Sequence, residues 1–217
     1  IYTRADARRS LCQFIAVGFD RTVHVADGVD VTFHQVCHIL GAAWVSIDLH
    51  EMDTGKRCRL VFSGDVGRPT SPILQAPYMY PEADILILES TYGNRLHEGY
   101  DDARKKLRDV VNTAVRQHGK VIIPAFAVGR TQELVYDLHR LILAHQIPEM
   151  PIFVDSPLAV DVTEVFRLHP ECYNDDVKAY MAQHDDPDPF GFAGLHYVRS
   201  VEASKELNYV RQPIVII

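Results

Sequence analysis

The sequence has no apolar run approaching the roughly 18 to 20 residues that a membrane-spanning helix requires. No span and no membrane partner are therefore expected, and the expected compartment is the cytoplasm. Cysteines are few: Cys12, Cys37, Cys58 and Cys172, with no Cys-x-x-Cys spacing among them. That pattern excludes a dense disulfide framework or a cysteine-built zinc knuckle, and it fits a reducing compartment. There is no excess of basic residues either. The formal net charge is −7, which argues against broad nonspecific nucleic-acid binding through a cationic surface. A nuclease stays open, since a channel needs only local positive charge and metal. Internal repeats and low-complexity tracts are absent. The chain starts at Ile1 with neither an initiator Met nor a signal-peptide pattern. It stops at Pro213-Ile214-Val215-Ile216-Ile217, which reads as a buried strand, so the expectation is a fragment of something longer.

What is there is enough for a packed core: 47% of the 217 residues are hydrophobic and 24% charged, as in ordinary globular proteins. Thr3 followed by Asp6 predicts a capped first helix, with Leu11, Phe14 and Ile15 on one face. Strands follow. Val23–Val25 and Val31–Phe33 flank the hairpin signal Asp27-Gly28. Trp44 to Leu49 alternates, with Val45, Ile47 and Leu49 on one side and Ser46 and Asp48 on the other. Asp53-Thr54-Gly55-Lys56 turns the chain into Arg59–Phe62, and Ile85–Leu88 reads as a fully buried strand. After Gly99 the period becomes helical, with Ala103, Leu107, Val110, Val111, Ala114 and Val115 on one stripe. Strands at Val121–Ile123, Ile152–Val154, His196–Val198 and Ile214–Ile217 alternate with helices over Leu134–Ile142, Ala159–Leu168 and Glu202–Tyr209. That alternation predicts an α/β fold with parallel strands and right-handed crossovers. Asp175 to Gly194 reads as a loop-rich excursion.

Several apolar runs end in small-residue turns that carry polar side chains. His38 precedes Gly41-Ala42-Ala43. A neutral imidazole at a strand end suits zinc, although a lone histidine is more often structural. Asp65 follows Leu60-Val61-Phe62 between Gly64 and Gly67. A carboxylate held there needs a cation or several donors, and the bland alternative is a turn that closes a loop. Glu89 ends Ile85–Leu88, either as an acid/base group or as an ion-pair partner of Arg68 or Arg95. Gly129-Arg130-Thr131 opens a helix, where backbone N–H groups and a guanidinium suit a phosphate; a plain cap by Thr131 competes. Ser156 in Asp155-Ser156-Pro157 is a second phosphate candidate, again against a helix cap. The run Arg104-Lys105-Lys106-Arg108 reads as a solvated helix face.

These segments in this order resemble the β-CASP group of the metallo-β-lactamase superfamily, nucleases that process RNA and DNA. The resemblance rests on His38-Ile39-Leu40-Gly41-Ala42-Ala43, Phe62-Ser63-Gly64-Asp65-Val66-Gly67-Arg68, Glu89-Ser90-Thr91-Tyr92-Gly93, Pro124 to Leu134, and Asp155-Ser156-Pro157-Leu158-Ala159-Val160. It covers nearly the whole chain and is strongest toward bacterial and archaeal proteins resembling the polyadenylation-cleavage endonuclease, with RNase J as a further relative. It implies a partial metallo-β-lactamase αββα sandwich over residues 1–95 and a β-CASP α/β domain, with a mostly parallel sheet, over 96–217. It further implies two zinc ions, with His38 a terminal ligand and Asp65 a bridging one. Glu89 would stand behind them, near the catalytic water. Two zincs about 3.5–4 Å apart can ionise a bridging water and clamp phosphodiester oxygens.

Departures from the family pattern shape the expectation. The His-x-His-x-Asp-His segment that supplies most zinc ligands in the family is not in this sequence, and the family's last two histidines would lie past Ile217. Cys37 stands where the family usually has Gly, which implies an ordinary backbone conformation before His38, and Asn94 stands where Asp is common. The full parent is expected to hydrolyse RNA phosphodiesters as a zinc-dependent endonuclease, with 5′-exonuclease activity as an extension, while the 217 residues alone are expected to be inactive. The alternative is a noncatalytic β-CASP scaffold that partners an active paralogue. A thioesterase of the same superfamily is disfavoured by the α/β segment after Glu89. Expected partners are single-stranded RNA, or DNA, and a second copy of the chain.

Overall fold

The computed structural model describes residues 2–79, 82–183 and 188–217. The chain folds as two compact units. One comprises Ile1–Val36, Ala43–Val66 and Tyr78–Glu89; the other comprises Cys37–Ala42, Gly67–Pro77 and Ser90–Ile217.

The first unit begins with helix α1 (Arg4–Ser10), capped as its sequence requires. Thr3 Oγ1 accepts from the Asp6 N–H at 3.3 Å, and Asp6 Oδ2 accepts from the Thr3 N–H at 2.8 Å. The apolar face expected beneath it is not formed. Leu11 to Gln13 tightens into a 3-10 turn, and Leu11, Phe14 and Ile15 stay exposed because no element among the described residues packs against them. Strands β1 (Thr22–Ala26), β2 (Val29–Gln35), β3 (Ala43–His50), β4 (Arg57–Phe62) and β5 (Ile85–Ile87) form one sheet in sequence order. The first four are antiparallel neighbours, and β5 joins β4 in parallel.

Burial on β3 follows Trp44 and Ser46 rather than Leu49. Trp44 is fully buried, and the His34 ring stacks on it at 3.9 Å, with Tyr78 beside both rings, 5.6 Å from His34 and 6.5 Å from Trp44. The expectation of a fully buried Ile85–Leu88 is overturned: these residues are 48% to 57% exposed. Strand β5 is the sheet edge, and among the described residues its apolar composition meets no covering layer.

The second unit is a parallel α/β layer. Strands β6 (Lys120–Ile122), β7 (Ile152–Val154), β8 (Leu195–Tyr197) and β9 (Ile214–Ile216) pair in the order β6-β9-β7-β8, every pair parallel. The helices are α2 (Tyr100–Arg116), α3 (Arg130–Leu143), α4 (Pro157–Leu168), α5 (Asp175–Gln183) and α6 (Val201–Glu206). The expected alternation is thus present, and so is the α/β fold. Helix α5 corrects the expected loop-rich excursion; part of Asp185-Asp186-Pro187-Asp188-Pro189 lies outside the described residues. Val111, Leu138, Leu141, Ile152 and Val215 form the buried centre. Burying a side chain of this size is worth about 1.5–3 kcal/mol each, offset by the entropy of ordering it.

Two short loops from early in the chain belong to this unit. The Asn174 N–H donates to Ile73 O at 2.7 Å, and the Gln75 N–H to Cys172 O at 3.1 Å. Leu74 bridges Tyr173.

Candidate functional site

In the first unit the ends of β4 and β5 carry two acids. Past Phe62 the register continues, because the Ser63 N–H donates to Ile87 O at 2.9 Å. Buried Ser63 accepts from the Glu89 N–H at 2.9 Å and donates its hydroxyl proton to Gly64 O at 2.7 Å. The half-buried Glu89 carboxylate in turn accepts from the Val66 N–H at 3.4 Å, across the base of the loop that carries Asp65. Parallel pairing of adjacent strands therefore brings Asp65 and Glu89 to one end of one sheet. Asp65 is exposed and Glu89 is partly covered, and each makes further interactions.

His38 belongs to the second unit, on the Cys37–Ala42 loop, and it is exposed. Cys37 does not hold the ordinary backbone expected of it. Its φ is +61°, the left-handed region that Gly would occupy without strain. Burial pushes its thiol pKa up, against a hydrogen bond involving Ser71. A Cβ added at Gly67 would fall 2.0 Å from Cys37 O and 2.5 Å from the His38 nitrogen, so position 67 admits only glycine. The backbone of Gly67 thus fixes the peptide that presents His38.

Helix α3 does not start with the Thr131 cap that the sequence suggested. Gly129, at φ +80°, holds the capping position, and its N–H donates to Gln132 Oε1 at 2.8 Å. Thr131 donates its hydroxyl proton to Phe126 O at 2.9 Å and does not cap. The N–H groups of Arg130 and Thr131 donate to Val128 O and Phe126 O, so these two amides are already used. The Arg130 guanidinium lies along its own helix, donating to Glu133 Oε2 at 2.6 Å. Ser156 caps α4, its hydroxyl accepting from the Ala159 N–H at 3.2 Å, while Asp155 accepts from Ser204 at 2.7 Å.

Sequence reading missed three polar groups on α3. Gln132 is fully buried and donates to Thr163 Oγ1 at 2.9 Å and to Ala127 O at 3.2 Å. Burial pushes the Glu133 pKa up, opposed by Arg130, Arg68 and His38. Burial likewise raises Asp137, whose carboxylate accepts from the Tyr100 hydroxyl. The signal was present: Gln132 and Asp137 interrupt an otherwise apolar helical stripe, and polar groups buried there must find partners. Among the described residues no group of three or more His, Cys, Asp or Glu side chains is arranged to hold a metal ion. The described residues therefore do not by themselves form a metal centre.

The first unit thus carries two acids at adjacent strand ends, and the second is a parallel α/β layer that includes the His38 loop. Residues 131–217 match the model of the Beta-Casp domain. Ribonuclease TTHA0252 of Thermus thermophilus is 34% identical over 189 residues, covering 87% of this chain and 42% of that protein. Cleavage and polyadenylation specificity factor subunit 3 of Dictyostelium discoideum is 31% identical, covering 94% of this chain and 25% of that protein. Transcription termination factor FttA of Methanosarcina mazei is 31% identical over the whole of this chain and 33% of its own length. The chain belongs to the β-CASP family of the metallo-β-lactamase superfamily. It spans less than half the length of these relatives.

Proposed function

We propose that this chain is part of a zinc-dependent enzyme that hydrolyses phosphodiester bonds of single-stranded RNA. The observation that carries the reading is the Asp65–Glu89 pairing: two carboxylates at the ends of adjacent parallel strands, tied by Ser63 and by the Val66 amide. A partly covered carboxylate such as Glu89 is costly to hold without a cation or donors nearby, and a metal ion beside the exposed Asp65 would be such a cation. The names of the relatives support RNA as the substrate class.

In this reading His38 and Asp65 each contribute a metal ligand, and Glu89 positions the Asp65 loop. Residues 1–95 contribute the metallo-β-lactamase portion and 96–217 the β-CASP portion. Arg130 and Ser156 are weaker candidates for phosphate contact, since each already has a partner. The 217 residues alone provide too few ligands and are expected to show little zinc-dependent cleavage.

The test uses the full-length parent and labelled single-stranded RNA. Cleavage that a chelator abolishes, zinc restores and Asp65→Ala removes supports the proposal. A stable full-length protein that binds RNA without cutting it, or cuts it equally well with Asp65→Ala, overturns it. The first of those outcomes favours the noncatalytic scaffold.

A further inference from the structure

The basic run on α2 divides in the structure. Lys105 and Lys106 reach exposed carboxylates, Asp102 at 3.0 Å and Glu98 at 2.5 Å, and Arg108 pairs with Asp109 at 2.8 Å. Arg104 turns the other way. It lines a groove of about 770 Å³ within the second unit, together with Arg140 of α3, the Pro69–Ala76 loop and the first turn of α5. Arg104 Nε is buried with no hydrogen-bond partner among the described residues. Among the described residues neither guanidinium lies within ion-pair distance of a carboxylate; Arg140 rests 5.8 Å from the centre of the Tyr136 ring.

Both guanidiniums act on the buried Asp137, pulling its pKa down against the burial that raises it. Asp137 is occupied by the Tyr100 hydroxyl, and burial favours its protonated form. Two partly buried guanidiniums line this groove, and the buried Arg104 Nε, which has no partner among the described residues, is costly to leave so unless an acceptor visits it. Arginine pairs match the oxygens of a phosphate through several parallel N–H donors. The rim is of opposite character. Asp101, Asp175 and Asp176 are exposed along it. They repel an extended polyanion, but as acceptors they suit the hydroxyls of a ribose, as acidic residues do in dinucleotide sites.

We propose that this groove is a binding site for a ribonucleoside monophosphate, with Arg104 and Arg140 on the phosphate and the rim aspartates on the ribose hydroxyls. The proposal stands on the groove alone and is independent of whether the parent cleaves RNA. It also makes the acidic rim a selectivity element, admitting a single nucleotide and disfavouring a continuous strand.

Calorimetric titration of the chain with adenosine monophosphate, its 2′,3′-dideoxy analogue and inorganic phosphate tests it. The expected result is saturable binding of the ribonucleotide below about 1 mM. Loss of the two hydroxyls should weaken binding at least tenfold, and so should Arg140→Gln. Thr70→Glu provides a second variant, because Thr70 is an exposed rim residue and the change adds negative charge without disturbing the core. It should weaken binding while thermal unfolding stays unchanged. No saturable binding of the ribonucleotide, or binding unaltered by both substitutions, overturns the site. Equal affinity for inorganic phosphate and the ribonucleotide overturns the role of the rim.

Discussion

Gly67 lies so close to Cys37 that a methyl group added to it would fall 2.0 Å from the Cys37 carbonyl oxygen and 2.1 Å from its carbon. The contact is backbone on backbone, so no side-chain rotation relieves it. Gly67→Ala should therefore cost more than about 2 kcal/mol, the range of a forced main-chain shift. Urea unfolding measures it, and a loss under about 0.5 kcal/mol would show that the loop moves freely.

Cys37 makes the complementary case. A non-glycine residue in the left-handed region carries roughly 1–2 kcal/mol of strain, and replacing it with Gly adds freedom to the unfolded chain. The two effects oppose each other. Cys37→Gly should lie within about 1 kcal/mol of neutral, whereas the β-branched Cys37→Val should cost about 2 kcal/mol or more. Equal destabilisation by both would remove backbone strain as the explanation.

Gln132 and Ser156 both serve helix starts but differ in burial. Gln132→Leu strands the Gly129 N–H in a dry interior and removes the donor to the Thr163 hydroxyl, which keeps its own bond to Ala159 O, an expected loss of about 2–3 kcal/mol. Ser156→Ala removes one partly covered cap, for about 1 kcal/mol. The order of the two unfolding midpoints checks the argument, and a larger loss for Ser156 would reverse it.

Asp137 should leave a mark on the pH dependence of stability. Burial raises its pKa above the ordinary 3.8, so the folded state keeps a proton that the unfolded chain has released. Stability is full below pH 3.8 and is lost as pH climbs from there through the folded pKa. Asp137→Asn still accepts from Tyr100 but cannot titrate. The variant's unfolding temperature should decline less across that window than the wild type's; identical slopes would assign the dependence to Glu133, which shifts in the same direction.

The regular half of the molecule was legible in the sequence because each element carried its own period. Asp27-Gly28 marked the first hairpin, and the stripe through Leu107, Val111 and Ala114 marked α2. The strand alternation marked the parallel sheet. Errors came where a residue's surroundings, rather than its type, decide the outcome. Composition made Ile85–Leu88 look buried, but burial depends on what covers an edge. Arg104 resembled its neighbours in the basic run, and only the helix rotation turned it inward. Cys37 was expected to obey its own side chain, and instead it takes the backbone angle that the Gly67 contact accompanies. Thr131 looked like a cap, yet Gln132 reaches back to Gly129 from within the helix.

Strand β5 is an apolar edge with consequences in a test tube. Its outer row of amides and carbonyls, flanked by Ile85, Leu86 and Ile87, is a ready template for another strand. Self-association through this edge should therefore scale with concentration. A single lysine placed at Leu86 would act as a gatekeeper there, lengthening the shelf life of the purified chain while leaving the parallel α/β layer unaltered.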